Sequence, residues 1–240
     1  MDLWTFLRLF KFVGVVLLGA GVALATVSGP PEKRALAGWG LVPAGVMLTW
    51  ITGYGLLKSL GLSVGAPWVS LSMLGSLVMM VGAIGAAERG GRGWALLTWG
   101  GLGAALGGVV GRESSFLAAS LIGAVSCVVA VWSWVPASAE ALPHAGRAPR
   151  AFWWWTRAEA LSAAMLMLVY MPLKYGFNIV LDGGQGWVGW VHGVLTVIFL
   201  SQLPWAARAA RWPITEMILA FIAALVPLGG FWFERRHRRA

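Results

Sequence analysis

Charge is scarce in this chain: only 11% of its 240 residues are Asp, Glu, Lys or Arg, where an average soluble domain carries about 25%. So little charge cannot cover a water-exposed surface, which excludes an ordinary soluble globular protein. Cysteine is limited to Cys127, inside an apolar run, so no intrachain disulfide can form and a small buried residue is expected there. Histidine is limited to His144, His192 and His237. No two of them stand at metal spacing, and no Walker loop or His-Glu-x-x-His element occurs, so the commoner nucleotide- and zinc-dependent signatures are missing. No metal site, no cofactor and no catalytic residue are expected.

What is present is apolar: 59% of the residues are hydrophobic types, with 16 Trp and 33 Gly. Trp gathers at membrane interfaces and Gly is tolerated in membrane helices. Runs long enough to cross a bilayer, roughly 17 to 25 residues, recur near 5–27, 36–60, 66–87, 94–111, 116–136, 156–177, 187–207 and 214–233. The expected fold is all-α, a polytopic transmembrane bundle of about eight spans. Breakers such as Ser28-Gly29-Pro30-Pro31, Glu88-Arg89-Gly90-Gly91-Arg92 and Arg211-Trp212-Pro213 separate the runs. The longest polar stretch divides a five-helix region, 1–136, from a three-helix domain, 151–240, by a linker at 137–150. The run from Phe12 to Val27 is slightly longer than a signal-peptide core and is read as a retained first helix.

The net charge of +9 finds no soluble face to sit on, so membrane lipids are the expected partners and nucleic acid is not. A bacterial cytoplasmic (inner) membrane location, multi-pass, is expected. Eight alternating spans divide the 18 Lys and Arg evenly between the two sides, so the positive-inside rule sets no orientation. The dense tail Glu234-Arg235-Arg236-His237-Arg238-Arg239 argues for cytoplasmic termini. In the fourth run Gly103, Gly107 and Gly111 recur every four residues. That face is expected to let another helix approach closely, within the chain, in a second copy or in another membrane protein.

From Arg157 onwards, four stretches carry a resemblance. They are Arg157-Ala158-Glu159-Ala160, Met171-Pro172-Leu173-Lys174-Tyr175, Gly189-Trp190-Val191-His192-Gly193-Val194-Leu195, and Val226-Pro227-Leu228-Gly229-Gly230-Phe231 with its basic tail. This third of the chain resembles a family of short bacterial membrane proteins known as domain of unknown function 3817. The resemblance implies three helices and no established activity. Ala160 stands where a Gly commonly follows the acidic residue. The first four spans are more weakly similar to the four-helix modules of bacterial copper-resistance membrane proteins. Leu9-Phe10-Lys11-Phe12-Val13-Gly14-Val15 lacks the His those modules carry, so the copper or haem role they imply has lost its ligand.

Ionisable groups within spans are functional candidates by default, because hydrocarbon penalises them. Lys58 is near enough to its helix end to snorkel to the interface. If spans six and seven are antiparallel, Lys174 and His192 fall at similar depth, and with Tyr175, Asn178 and Asp182 they form a candidate polar pocket. Glu159, about 22 Å from Lys174 along a helix, joins Arg157, Gln202, Arg208 and Glu216 in a cluster at the opposite face. Trp153-Trp154-Trp155 reads as an interfacial anchor. Three functions stay open: a structural, assembly or partner-binding subunit; a small-solute or ion transporter using the Lys174/His192 pocket; and a lipid-modifying enzyme, for which the sequence offers no nucleophile or metal site.

Overall fold

The computed structural model describes residues 3–26, 30–110, 117–118, 121–125, 148–181 and 186–238. These residues are almost wholly helical, and no strand occurs among them. The chain separates into two compact units, Met1–Pro143 and His144–Ala240. Gly111, Cys127, His144, Asp182 and most of the fifth apolar run lie outside the described residues.

The first unit contains α1 (Leu3–Thr26), α2 (Pro31–Ser59, with a π-type turn at Ala37–Leu41), α3 (Pro67–Arg89) and α4 (Arg92–Val110). Pro31 and Pro67 open their helices, where a missing N–H costs nothing. Gly90, at φ +66°, ends α3. The first three of these helices are long and apolar enough to cross a membrane.

Small residues set the packing. A Cβ on Gly45 would lie 2.7 Å from Leu18 Cγ, and one on Gly14 would lie 2.7 Å from Thr49 Oγ1, so α1 and α2 meet almost backbone to backbone. Gly75 and Gly101 do the same for α3 and α4. Gly103 faces a different neighbour, lying directly against the backbone of Gly123 in the helical stretch 121–125. Gly107 is buried.

Indole donors tie the helices together. Trp39 Nε1 donates to the buried Glu88 carboxylate at 2.7 Å, Trp50 Nε1 to Ser76 Oγ at 2.9 Å, and Trp99 Nε1 to Thr26 Oγ1 at 3.0 Å. The buried Arg34 guanidinium donates to the carbonyl of Ala86, one of the last carbonyls of α3. That carbonyl also accepts the Gly90 N–H at 3.0 Å, so the cation adds a second donor and meets the negative end of the helix dipole. Lys58 lies over the Tyr54 ring, 5.8 Å from its centroid.

The second unit begins with α5 (Arg150–Ala164), which continues through wide π-type turns at Met165–Tyr170 and Pro172–Gly176. Then come α6 (Trp187–Ala210), α7 (Ile214–Leu225) and α8 (Gly229–Arg238). Of these, α6 is long and apolar enough to cross a membrane.

The eighth expected span, 214–233, is not one helix. It breaks at Val226-Pro227-Leu228, where Val226 is extended and Leu228 has φ +64°. The chain then doubles back: Gly229 lies against the Ala223 backbone, and Glu216 at the start of α7 pairs with Arg236 (2.8 Å) and His237 (3.2 Å) at the end of α8. The 12 residues of α7 rise about 18 Å, well short of a hydrocarbon core of about 30 Å. The physical reason for the difference is local. Proline and two glycines interrupt a run whose average hydropathy conceals them.

Candidate functional site

The polar side chains of the second unit are placed by the register of α5 against α6. Ser162 Oγ lies 3.0 Å from His192 Nδ1, and the rings of Phe152 and Phe199 stack at 5.6 Å. Ser162 Oγ also donates to the Glu159 carbonyl at 2.7 Å. When it does, the shared contact is completed by His192 Nδ1–H donating to Ser162, which puts the ring proton on Nδ1.

This register corrects the expected depth of His192. It is level with Ser162, twelve residues before Lys174, a separation of about 18 Å at an α-helical rise. Lys174 instead places its ammonium over the rings of Tyr170 and Tyr175, at 5.7 and 5.3 Å. Tyr175 is exposed. Asn178 serves the backbone: with φ +57° it follows the end of the helix, where Phe177 N and Ile179 N both donate to the Leu173 carbonyl. The described pocket residues are therefore not gathered at one place, and Asp182 lies outside the described residues. The prediction that follows is additivity: His192→Ala and Lys174→Met should change thermal stability independently, the double variant matching the sum within about 0.5 kcal/mol. A larger departure would mean the two side chains do share a site.

The opposite cluster divides as well. Arg157 makes a two-pronged pair with the buried Glu234, both N···O distances 2.8 Å, and stacks on Trp154 at 5.3 Å. Glu216 pairs with Arg236 and His237, and Arg208 is exposed. The Trp triplet splits: Trp153 is buried against Trp212 and Phe233, while Trp154 faces outward. Arg236 and His237 were missed as partners because a through-going last helix would have carried them to the other face. The signal was the Pro227 and Gly229-Gly230 breaker inside the last run.

Glu159 and Gln202 remain. Glu159 is 1% exposed and Gln202 0%, and neither the carboxyl oxygens nor the amide atoms have a hydrogen-bond partner among the described residues. An unpaired buried amide costs about 1–3 kcal/mol, and an ionised carboxylate costs more. Side chains on a helix lean towards its N-terminus. In the register set by Ser162 and His192, the antiparallel α5 and α6 place Glu159 and Gln202 on either side of the layer shared by Thr156 and Ile198, about two turns apart. Side chains leaning this way extend towards the same layer. Gly230 of α8 closes that layer, for a Cβ there would sit 3.0 Å from Ala160 Cβ and 3.1 Å from the Thr156 carbonyl oxygen.

Apolar helices of spanning length, packed through indole donors and small residues, define a helical integral membrane protein. The chain belongs to the family described as "Domain of unknown function (DUF3817)", whose profile matches residues 150–239, the second unit without its first few residues. It is 38% identical over 77 residues to the "Uncharacterized membrane protein YdzA" of Bacillus subtilis (strain 168), an overlap covering 32% of this chain and 78% of that relative. No solved structure matches. These matches lend no support to the copper-resistance resemblance of the amino-terminal spans.

Proposed function

We propose that this chain is a multi-pass protein of the bacterial cytoplasmic membrane that serves as a structural or assembly subunit, pairing with a second copy through the face of α6 that carries Gly189 and Gly193. The carrying observation is that these two glycines stand four apart on a helix of spanning length and that a Cβ on either would meet nothing within 4 Å. Helices in a bilayer associate by close approach at such small residues, because lipid offers no hydrophobic drive of its own.

Two further features support the reading. The α7–α8 hairpin packs in the half of the unit near Arg150, leaving Met165, Leu168 and Met171 exposed towards the other end. The curated relative, 77 of whose residues make up 78% of it, is only about 100 residues long. It is too short to contain both units of this chain, so self-association is the simplest way for such a protein to cover an open helix face.

The test uses single cysteines in a Cys127→Ser background, in native membranes. Gly189→Cys and Gly193→Cys are expected to form disulfide-linked dimers on oxidation, whereas Leu161→Cys, exposed elsewhere on the unit, is not. Gly193→Leu should abolish the dimer in mild detergent without lowering the monomer's melting temperature. Equal crosslinking at all three positions, or a monomer throughout, overturns the proposal. Crosslinking only to a chain of another size replaces the second copy by a different membrane protein.

A further inference from the structure

The Glu159–Gln202 layer is independent of that dimer face. We infer that Glu159 is a proton-binding carboxyl inside the second unit, with the Gln202 amide as the group that stabilises both its neutral and its ionised form across one water molecule. The pair is suited to this because a primary amide carries both kinds of hydrogen-bonding group. Its carbonyl oxygen accepts when the acid is protonated, and its N–H groups donate when the acid is ionised. Lone buried carboxyls have no such means of changing state.

The surroundings leave the proton as the ion to be bound. The described ionisable side chains on the elements packed around Glu159 are engaged elsewhere or exposed, Arg150 being exposed and Lys174 lying over its tyrosines. On α5, Arg157 is held by Glu234. On α6, His192 is bonded to Ser162, and Arg208 and Arg211 are exposed. On α7, Glu216 is paired with Arg236 and His237; on α8, Glu234 is taken by Arg157, and Arg235 is exposed. Among the described residues no cationic side chain is hydrogen-bonded to Glu159, and no cluster of three metal-binding side chains exists. A proton is the cation such a site accepts without further ligands. Gly230 keeps the cover close, and the Arg157–Glu234 and Glu216–Arg236 pairs fasten the same hairpin at its other end.

The experiment treats the full-length protein in liposomes with dicyclohexylcarbodiimide, a membrane-soluble reagent for protonated carboxyls. The acid's proton passes to a carbodiimide nitrogen while the carboxyl oxygen bonds to the central carbon. Migration of the acyl group to nitrogen leaves a stable acylurea, located by peptide mass spectrometry. Glu159 is expected to be the main modified residue, with modification falling several-fold as pH rises through the range in which the protein stays folded. Glu159→Gln, neutral and of the same size, should lose the modification and keep its melting temperature. Gln202→Leu should remain modified at a pH where the unaltered protein no longer reacts, because the ionised form has lost its donor.

Where the reagent fails to enter, infrared difference spectra give the second reading: a protonated-carboxyl band that changes with pH and is absent from Glu159→Gln. Modification that ignores pH would make Glu159 a permanently neutral packing group and overturn the inference. Protection by sodium or lithium ions at constant pH would make the site one for a metal cation, and also overturn it. So would the absence of both the modification and the infrared band.

Discussion

Gly101→Leu should prevent the first unit from reaching its native packing. A Cβ at this position would already stand 2.7 Å from the Gly75 carbonyl oxygen and press on the backbone of Met79. Its neighbours are main chain, and a helix backbone cannot rotate aside as a side chain can. Gly101→Ala alone should cost about 1–3 kcal/mol, the usual range for overpacking, and the three further carbons of Leu should push the variant beyond recovery in detergent. Gly53 is the internal control, since a Cβ there meets nothing within 4 Å. There the higher helix propensity of Ala should leave stability unchanged or raise it by up to about 1 kcal/mol. The yield of folded Gly101→Leu from detergent extracts, and melting curves of purified Gly101→Ala and Gly53→Ala followed by tryptophan fluorescence, decide it; equal melting temperatures for the two alanine variants would mean that α3 and α4 do not meet backbone to backbone.

The second large effect is topological. In a Cys127→Ser background, Arg211→Cys and Arg235→Cys should react with a membrane-impermeant thiol reagent from the same side, and Lys174→Cys from the other. Pro227→Cys, at the tip of the hairpin, should react from neither. Labelling of positions 211 and 235 from opposite sides would restore a through-going last helix. The hairpin also changes the charge count within this unit. Every arginine between Arg150 and Arg238 belongs to one end of it, while Lys174 alone lies at the other. Within this unit the positive-inside rule is no longer silent: it predicts that positions 211 and 235 label from the cytoplasmic side.

Much of this architecture was legible in the sequence, because hydropathy over some twenty residues reports a span directly. Bounds such as Pro67 and Gly90 fell near the breakers that suggested them. Gly101, by contrast, lay outside the regular Gly103 and Gly107 stripe, and periodicity alone could not say which glycine faced which neighbour. The site was less legible. Matching helix ends put Lys174 level with His192, but α5 carries its π-type turns to Gly176 and begins at Arg150, and Ser162 supplies the true contact. Glu159 and Gln202 were visible as polar residues in apolar runs; only three-dimensional packing reveals that neither has a partner.

The half-depth hairpin also gives the second unit a taper. At the end nearest Arg150 four helical segments stand side by side; towards Gly176 only α6 and the continuation of α5 remain among the described residues of the unit. Taken by itself in a bilayer, a body of that form would be best accommodated where the membrane bends around its broad end, a bias created by a helix of only 12 residues.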